Sequence, residues 1–431
     1  MKKLTLALIL SFLLLFTLFS CYRVTYHVSD KRVPKVVKPG IEVLRDNGFK
    51  ELKGKRVGLV TNPTGIDNNL VSTVDILFNA PEVELVALYG PEHGVRGDIH
   101  AGDKFETTND PKTGLPVFSL YGKTRKPTAE MLEGVDVIIY DIQDNGCRSY
   151  TFISTLGLLM EAAAEYGKEV MVLDRPNPLG GRKIEGCLVE PGFESFVSQY
   201  PIPYLYALTC GEFAKLLNGE NMLKKTSESG EEILKCKLTV IPMEGWNRDM
   251  LFSDTGMPWV LPSPHIPHDI SSYYYPASGI LGELSYMSIG VGYTLPFQLF
   301  AEEWIDAAEF TDRLNALDLQ GVRFRPIFLK PFYATGQGKT LQGAQIYITD
   351  PKIAPLTDVQ FYAMEILADM YPDRAVFKED QHRRYRMFDQ VCGSDYIRMN
   401  FAKRHKFSDI KDYWYKDVEA FRKLSAKYHL Y

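Results

Sequence analysis

Between Gly40 and Pro178 the chain alternates continuously apolar runs with segments of helical spacing, and few folds accept that rhythm. The runs Lys55–Val60, Val83–Leu88, Val135–Tyr140 and Lys168–Leu173 show no alternation of polar and apolar residues, and Leu115–Leu120 is a shorter run of the same kind. A strand without a polar face is buried on both sides. Val71–Phe78 and Ser154–Tyr166 carry helical spacing, the second rich in Leu, Ala, Met and Glu. Strands buried on both sides and separated by helices dictate an α/β fold with a doubly wound, mostly parallel sheet.

In such sheets ligands bind beyond the carboxyl ends of the strands. Four of those ends carry polar clusters stiffened by Gly or Pro: Asn62-Pro63-Thr64, Glu92-His93, Asp141 to Asp144, and Asp174 to Asn177. Parallel neighbours about 5 Å apart would bring them onto one edge. Gly90-Pro91 ends the strand before Glu92, and Gly94 and Gly97 allow close backbone approach. A carboxylate beside an imidazole on such a turn can handle protons. A lone Glu-His pair is more often a solvated turn, but four converging clusters favour a site. No G-x-G-x-x-G follows the first strand, and no P-loop or G-x-S-x-G elbow is present, so no cofactor is expected.

From about Gly180 the rhythm changes. Thr209–Leu217 reads as a helix with Thr209 and Glu212 in a capping box. Lys237–Pro242 and residues 322–350 read as strands, and Trp304–Leu317, Asp358–Met370 and Asp412–Tyr428 as helices. Trp259–Phe300, rich in aromatics and Pro, reads as loops or short strands of the kind that wall sugar rings. Residues 40–180 are therefore expected as the doubly wound domain, and residues 181–431 as a smaller mixed α+β domain closing a cleft. His265 and His268 are separated by Ile266-Pro267, which spoils helical metal-ligand spacing, and no CxxC pair occurs, so no metal is expected. Cys147, Cys187, Cys210, Cys236 and Cys392 read mostly as small buried hydrophobes, with a disulfide left open. His382–Arg386 reads as a solvated basic face.

Acidic and basic residues are mixed along the chain and sum to a net charge of -5, which argues against a nucleic-acid surface. Met1-Lys2-Lys3 and the apolar run Leu4–Phe19 read as an export signal, too short for a stable span. Leu18-Phe19-Ser20-Cys21 resembles a bacterial lipoprotein box. Residues 1–21 are therefore expected to be a signal peptide ending in a lipid-bearing Cys21, and residues 22–39 a tether. The chain would be exported to the cell envelope, periplasmic or outer-membrane face, and touch membrane through that anchor only.

Thr61-Asn62-Pro63-Thr64-Gly65, Gly90-Pro91-Glu92-His93-Gly94, Tyr140-Asp141-Ile142-Gln143-Asp144, Arg148-Ser149-Tyr150-Thr151 and Leu173-Asp174-Arg175-Pro176-Asn177-Pro178, in that order, resemble the bacterial exo-β-N-acetylmuramidases of glycoside hydrolase family 171, formerly a domain of unknown function. Gly245-Trp246 with Arg248, Ser263-Pro264, Tyr275-Pro276 with Glu283, and Pro296-Phe297 extend the match, which runs from about Gly40 to the end. The resemblance implies a Rossmann-like domain plus a smaller mixed domain, an active site between them, release of terminal N-acetylmuramic acid from non-reducing ends of peptidoglycan fragments, and Glu92 as catalytic acid. The chain departs from that family's pattern at Ser288-Ile289-Gly290-Val291-Gly292-Tyr293, where a charged pair has become apolar, and at Ser263-Pro264-His265-Ile266-Pro267-His268.

Glycoside hydrolysis needs a proton for the leaving oxygen and a carboxylate or its equivalent for the anomeric carbon. Glu92 is the expected acid, its proton affinity raised by partial burial, with His93 positioning it. Asp141 and Asp144 are the candidate partners, with Glu283 as an outsider. The lactyl carboxylate of muramic acid calls for an arginine fork, for which Arg148, Arg175 and Arg248 are the candidates. Asn62, Thr64, Tyr150 and Asn177 are candidates for binding the sugar. Two rival readings stand beside this one: a lipid-anchored glycan-binding protein without turnover, and a metal-dependent hydrolase.

Overall fold

The sheet that the alternating rhythm predicts is present, and it is wider than the amino-terminal half can supply. A computed structural model describes residues 36–97, 107–122, 124–227, 230–378 and 384–431; Cys21, residues 22–35 of the tether, and His382 and Arg383 of the basic cluster lie outside them. The strands are β1 (Arg56–Thr61), β2 (Glu84–Gly90), β3 (Thr108–Asn109), β4 (Pro116–Ser119), β5 (Val137–Asp141) and β6 (Glu169–Leu173). Across the sheet the order is Lys237–Ile241, β6, β5, β1, β2, β4, β3. Every neighbouring pair is parallel except β3 with β4. The edge strand Lys237–Ile241 comes from beyond Gly180, so the chain returns to this sheet after leaving it.

Register aligns the carboxyl ends. Thr61 lies opposite Asp141, Gly90 opposite Ser119, and Leu173 opposite Ile241. β5 and β1 are buried along almost their whole length, as two-sided strands must be. Helices Thr73–Asn79 and Phe152–Glu165 follow β1 and β5. Helix Cys210–Gly219 starts from the capping box that Thr209 and Glu212 spell out.

The second half holds a three-stranded antiparallel sheet ordered Leu299–Glu302, Leu341–Ile348, Val322–Leu329, flanked by helices Ser271–Gly282, Ala307–Ala316 and Asp358–Met370. Two expectations fail here. Trp259–Phe300 contains a full helix, Ser271–Gly282, with Pro276 inside it. Pro276 removes a backbone donor, but the helix is locked from outside: Gln360 Nε2 donates to Pro276 O at 2.8 Å, and Leu281 N donates to Gln360 Oε1 at 3.0 Å. The expected helix Asp412–Tyr428 is broken into Lys411–Tyr415 and Val418–Ser425; Trp414 of the first points fully inward, where its indole N–H reaches Thr357 Oγ1 at 3.0 Å.

The halves are stitched by buried polar groups. Within the second half, Glu185 ties its beginning to the Leu356-Thr357 segment, accepting from Leu356 N, Thr357 N and Thr357 Oγ1. Arg148 donates to the carbonyls of Cys187, Ile202 and Val391. Tyr431 donates to Asp174 Oδ2 at 2.8 Å across the sheet edge.

Candidate active site

A cleft of about 750 Å³ opens where the β2 and β4 ends meet the second half, within the range of small-ligand pockets. Glu92 and His93 follow β2 on the turn closed by Gly94 N to Pro91 O at 3.0 Å. His93 stands at φ 73°, a left-handed conformation costing a non-glycine residue about 1–2 kcal/mol, and it is almost fully buried while Glu92 stays half-open. Leu120 N donates to Gly90 O at 2.8 Å, which sets Tyr121 beside this turn. Tyr121 hydrogen-bonds Glu92, and its phenol is pushed up to about 12, first by burial and then by the Glu92 charge. Arg125 lies on the same wall with its guanidinium 4.2 Å from the Phe196 ring centre.

The opposite wall joins both halves. Tyr150 packs edge-on against Phe152 at 5.1 Å and Tyr275 at 5.6 Å, and Tyr275 packs edge-on against Phe297 at 5.0 Å. Ser149 Oγ lies 3.0 Å from Tyr204 Oη and 3.1 Å from Tyr275 Oη. Glu283 follows the last turn of helix Ser271–Gly282. Burial pushes its carboxyl up, and the Arg384 guanidinium opposes that. His265 is pulled down by burial and by the charge of His93. A side chamber of about 300 Å³ shares Tyr275, Glu283 and Phe297 with the cleft and is lined also by Ile289 and Val291.

Of the residues expected at the site, Glu92, His93, Tyr150 and Glu283 line this cleft. The others lie behind it. Asp141 is paired with Arg175: Arg175 Nε reaches Oδ1 at 2.5 Å and Nη2 reaches Oδ2 at 3.1 Å, while Thr73 Oγ1 donates to Oδ2 at 2.5 Å. Asp144 is fully enclosed and accepts from Tyr206 Oη and from Gly146 N. Asn62 and Thr64 bond each other, and Thr64 Oγ1 accepts from Gln143 N. Asn177 spans Leu208 O and Leu179 N. Arg248 grips Glu212 at 2.7 and 2.9 Å.

The expected arginine fork is therefore corrected. Arg148, Arg175 and Arg248 are all at most 6% exposed and bind the protein's own carbonyls and carboxylates. The guanidinium on the cleft wall is Arg125, which no motif marked. Tyr121 was missed too, although it closes the short fifth apolar run and so had the same strand-end signal as Glu92. All five cysteines among the described residues are buried thiols. No group of three or more metal-ligating side chains gathers among the described residues.

Residues 57–270 match the family described as exo-β-N-acetylmuramidase NamZ, N-terminal, and residues 273–431 match its C-terminal counterpart. The chain belongs to the NamZ exo-β-N-acetylmuramidase family. It is 42% identical over 398 residues to the peptidoglycan β-N-acetylmuramidase NamZ of Bacillus subtilis strain 168, covering 92% of each chain. Two crystal structures of DUF1343-family proteins from Bacteroides fragilis NCTC 9343 share the fold. One has a TM-score of 0.86 at 58% identity, the other 0.71 at 28% identity; each comparison covers 92% of this chain and 99% of the other. The boundary between the two NamZ halves falls just before helix Ser271–Gly282, so the cleft is walled from both.

Asp144 offers a test of the scaffold behind the cleft. Burial lifts its carboxyl from the ordinary 3.8 to about 6, against the pull of the Tyr206 hydroxyl. The folded protein holds this proton more tightly than the unfolded chain. The stability it contributes is full below about pH 4 and is lost as pH rises through about 6. In denaturant titrations from pH 4 to 7.5, wild type is expected to lose on the order of 3 kcal/mol relative to Asp144→Asn as pH rises through this window. Parallel stability curves would refute the assignment.

Proposed function

We propose that this glycoside hydrolase removes a terminal β-N-acetylmuramic acid from the non-reducing end of peptidoglycan fragments, with Glu92 protonating the leaving oxygen. One observation carries the reading: Glu92 and Glu283 line a single sugar-sized cleft from opposite halves of the chain. A glycosidase needs two such groups. Tyr121 engages the Glu92 carboxylate and fixes its direction, and His93, locked by its left-handed backbone, backs the turn. Glu283 takes the second position, which Asp141 and Asp144 cannot reach. There it acts on the anomeric carbon or orients the substrate's own N-acetyl group.

A second reading exchanges the roles, because burial makes Glu283 the better-protected proton carrier. Leaving-group chemistry separates the two. Loss of a general acid costs about 10²–10⁴-fold when the leaving oxygen is a poor one, and little when it needs no proton. Glu92→Gln is expected to lose that factor on a natural disaccharide and to recover most of it on a 2,4-dinitrophenyl β-N-acetylmuraminide. Recovery by Glu283→Gln instead would install the second reading.

Arg125 is the partner we assign to the lactyl carboxylate. It is exposed on the cleft wall, with its guanidinium over the Phe196 ring. Arg125→Met is expected to lower kcat/KM for an aryl β-N-acetylmuraminide by about 10–100-fold, the range of one charge-assisted pair. On the matching N-acetylglucosaminide, which lacks the lactyl group, it should change little. An equal loss on both substrates would remove Arg125 from this role.

Action on the cell wall fits export and anchoring through lipid on Cys21, as the amino-terminal motif proposes. Expression with a labelled fatty acid is expected to mark the wild type and leave Cys21→Ser unmarked and in the soluble fraction. Label on both would dismiss the anchor.

A further inference from the structure

Outside the cleft, two neighbouring aromatic rings stand in solvent. Phe332 is 69% and Tyr333 50% exposed. Single exposed apolar residues are unremarkable, whereas contiguous ones mark a contact surface. Here the patch has three rings, since Phe332 lies nearly parallel to Tyr293, with centres 6.0 Å apart and planes 20° from each other. It is also joined to the cleft: Tyr333 Oη lies 2.6 Å from Nε2 of His265, a residue of the cleft wall, and the two rings are 6.1 Å apart. The next residues, Ala334 and Thr335, line the side chamber.

The segment is held in place by backbone. Phe332 N donates to Gly292 O at 2.7 Å. Gly292 stands at φ 91°, and a Cβ there would lie 1.9 Å from Tyr333 O. Only glycine lets the 331–335 segment close on the cleft-lining chain in this way. The rings are thus presented at a set height beside the cleft, with Phe332 and Tyr333 exposed and Tyr293 half-buried beneath Phe332.

We propose that Tyr293, Phe332 and Tyr333 form a platform that binds the sugars on the leaving side of the scissile bond. This rests on the exo-muramidase reading above. An enzyme that takes the terminal sugar has no substrate beyond it on the non-reducing side, so the rest of the glycan leaves the cleft on the leaving side. A pyranose offers a face of C–H groups flanked by hydroxyls. Flat rings with a polar tip, such as Tyr, match that pattern. The direct bond from Tyr333 to His265 makes the platform continuous with the wall that would hold the first sugar.

Chain length reads the proposal. Wild type, Phe332→Ala and Tyr293→Ala would be assayed on an aryl β-N-acetylmuraminide, which has no leaving sugar. The same proteins would be assayed on peptide-free glycan fragments of two and four sugars. Wild type is expected to prefer the longer fragments in kcat/KM. Each variant should lose about tenfold on the tetrasaccharide and stay within about twofold on the aryl substrate, with an unchanged thermal midpoint. Equal effects on aryl and glycan substrates, or none on either, would overturn the platform. An effect confined to peptide-bearing fragments would also overturn it and assign the rings to the stem peptide. Failure of wild type to cleave the aryl muraminide would instead strike the underlying function.

Discussion

The Arg175–Asp141 pair closes the crevice that a doubly wound sheet ordinarily offers to a ligand. β1 and β5 lie side by side, and the chain leaves them in opposite directions, which makes their carboxyl ends the topological switch point. Here that point is buried and occupied by the protein's own side chains. Both partners are at most 3% exposed, and Thr73 completes the carboxylate's shell. Breaking such a pair leaves an uncompensated buried charge, a cost of about 3–5 kcal/mol. The crevice therefore stays shut, and the cavity moves one strand over, to the ends of β2 and β4.

Several features follow from that displacement. The turn after β2 is the strand end left free to carry exposed chemistry, and Glu92 stands on it. The clusters after β1, β5 and β6 become scaffold: Asn62 with Thr64, Asp144 with Tyr206, Asp174 with Thr209 and Tyr431. They hold the loop that brings Ser149 and Tyr150 to the cleft. Because the cavity sits at one side of the sheet, the second half can wall it, and it delivers His265, Tyr275 and Glu283 from helix Ser271–Gly282, its C-cap and the loop before it.

The second half reached this position against its local preferences. Ser271–Gly282 has Tyr-Tyr-Tyr-Pro at its centre, which reads as loop, yet it is a buried helix secured by the Gln360 carboxamide. The Tyr333 segment depends on Gly292 approaching a carbonyl from the chain ahead of it. Such long-range contacts leave no periodic trace, because neither partner's own neighbours specify them.

What the sequence alone determined is the part set by local pattern. Two-sided apolar runs dictated the parallel sheet, the Thr209–Glu212 box the start of a helix, and the Gly-Pro turn the exposure of Glu92. Ordered motifs carried the family. The tertiary structure decided which strand-end side chains face the cavity and which face one another. Asp141, Arg148, Arg175 and Arg248 look the same in sequence whether they bind a sugar or the protein. A charge in a low-dielectric interior takes the nearest complementary group, and only packing settles which group that is. Arg125, which no motif marks, and Tyr121, whose only mark is its place at a strand end, reach the cleft wall through the same packing.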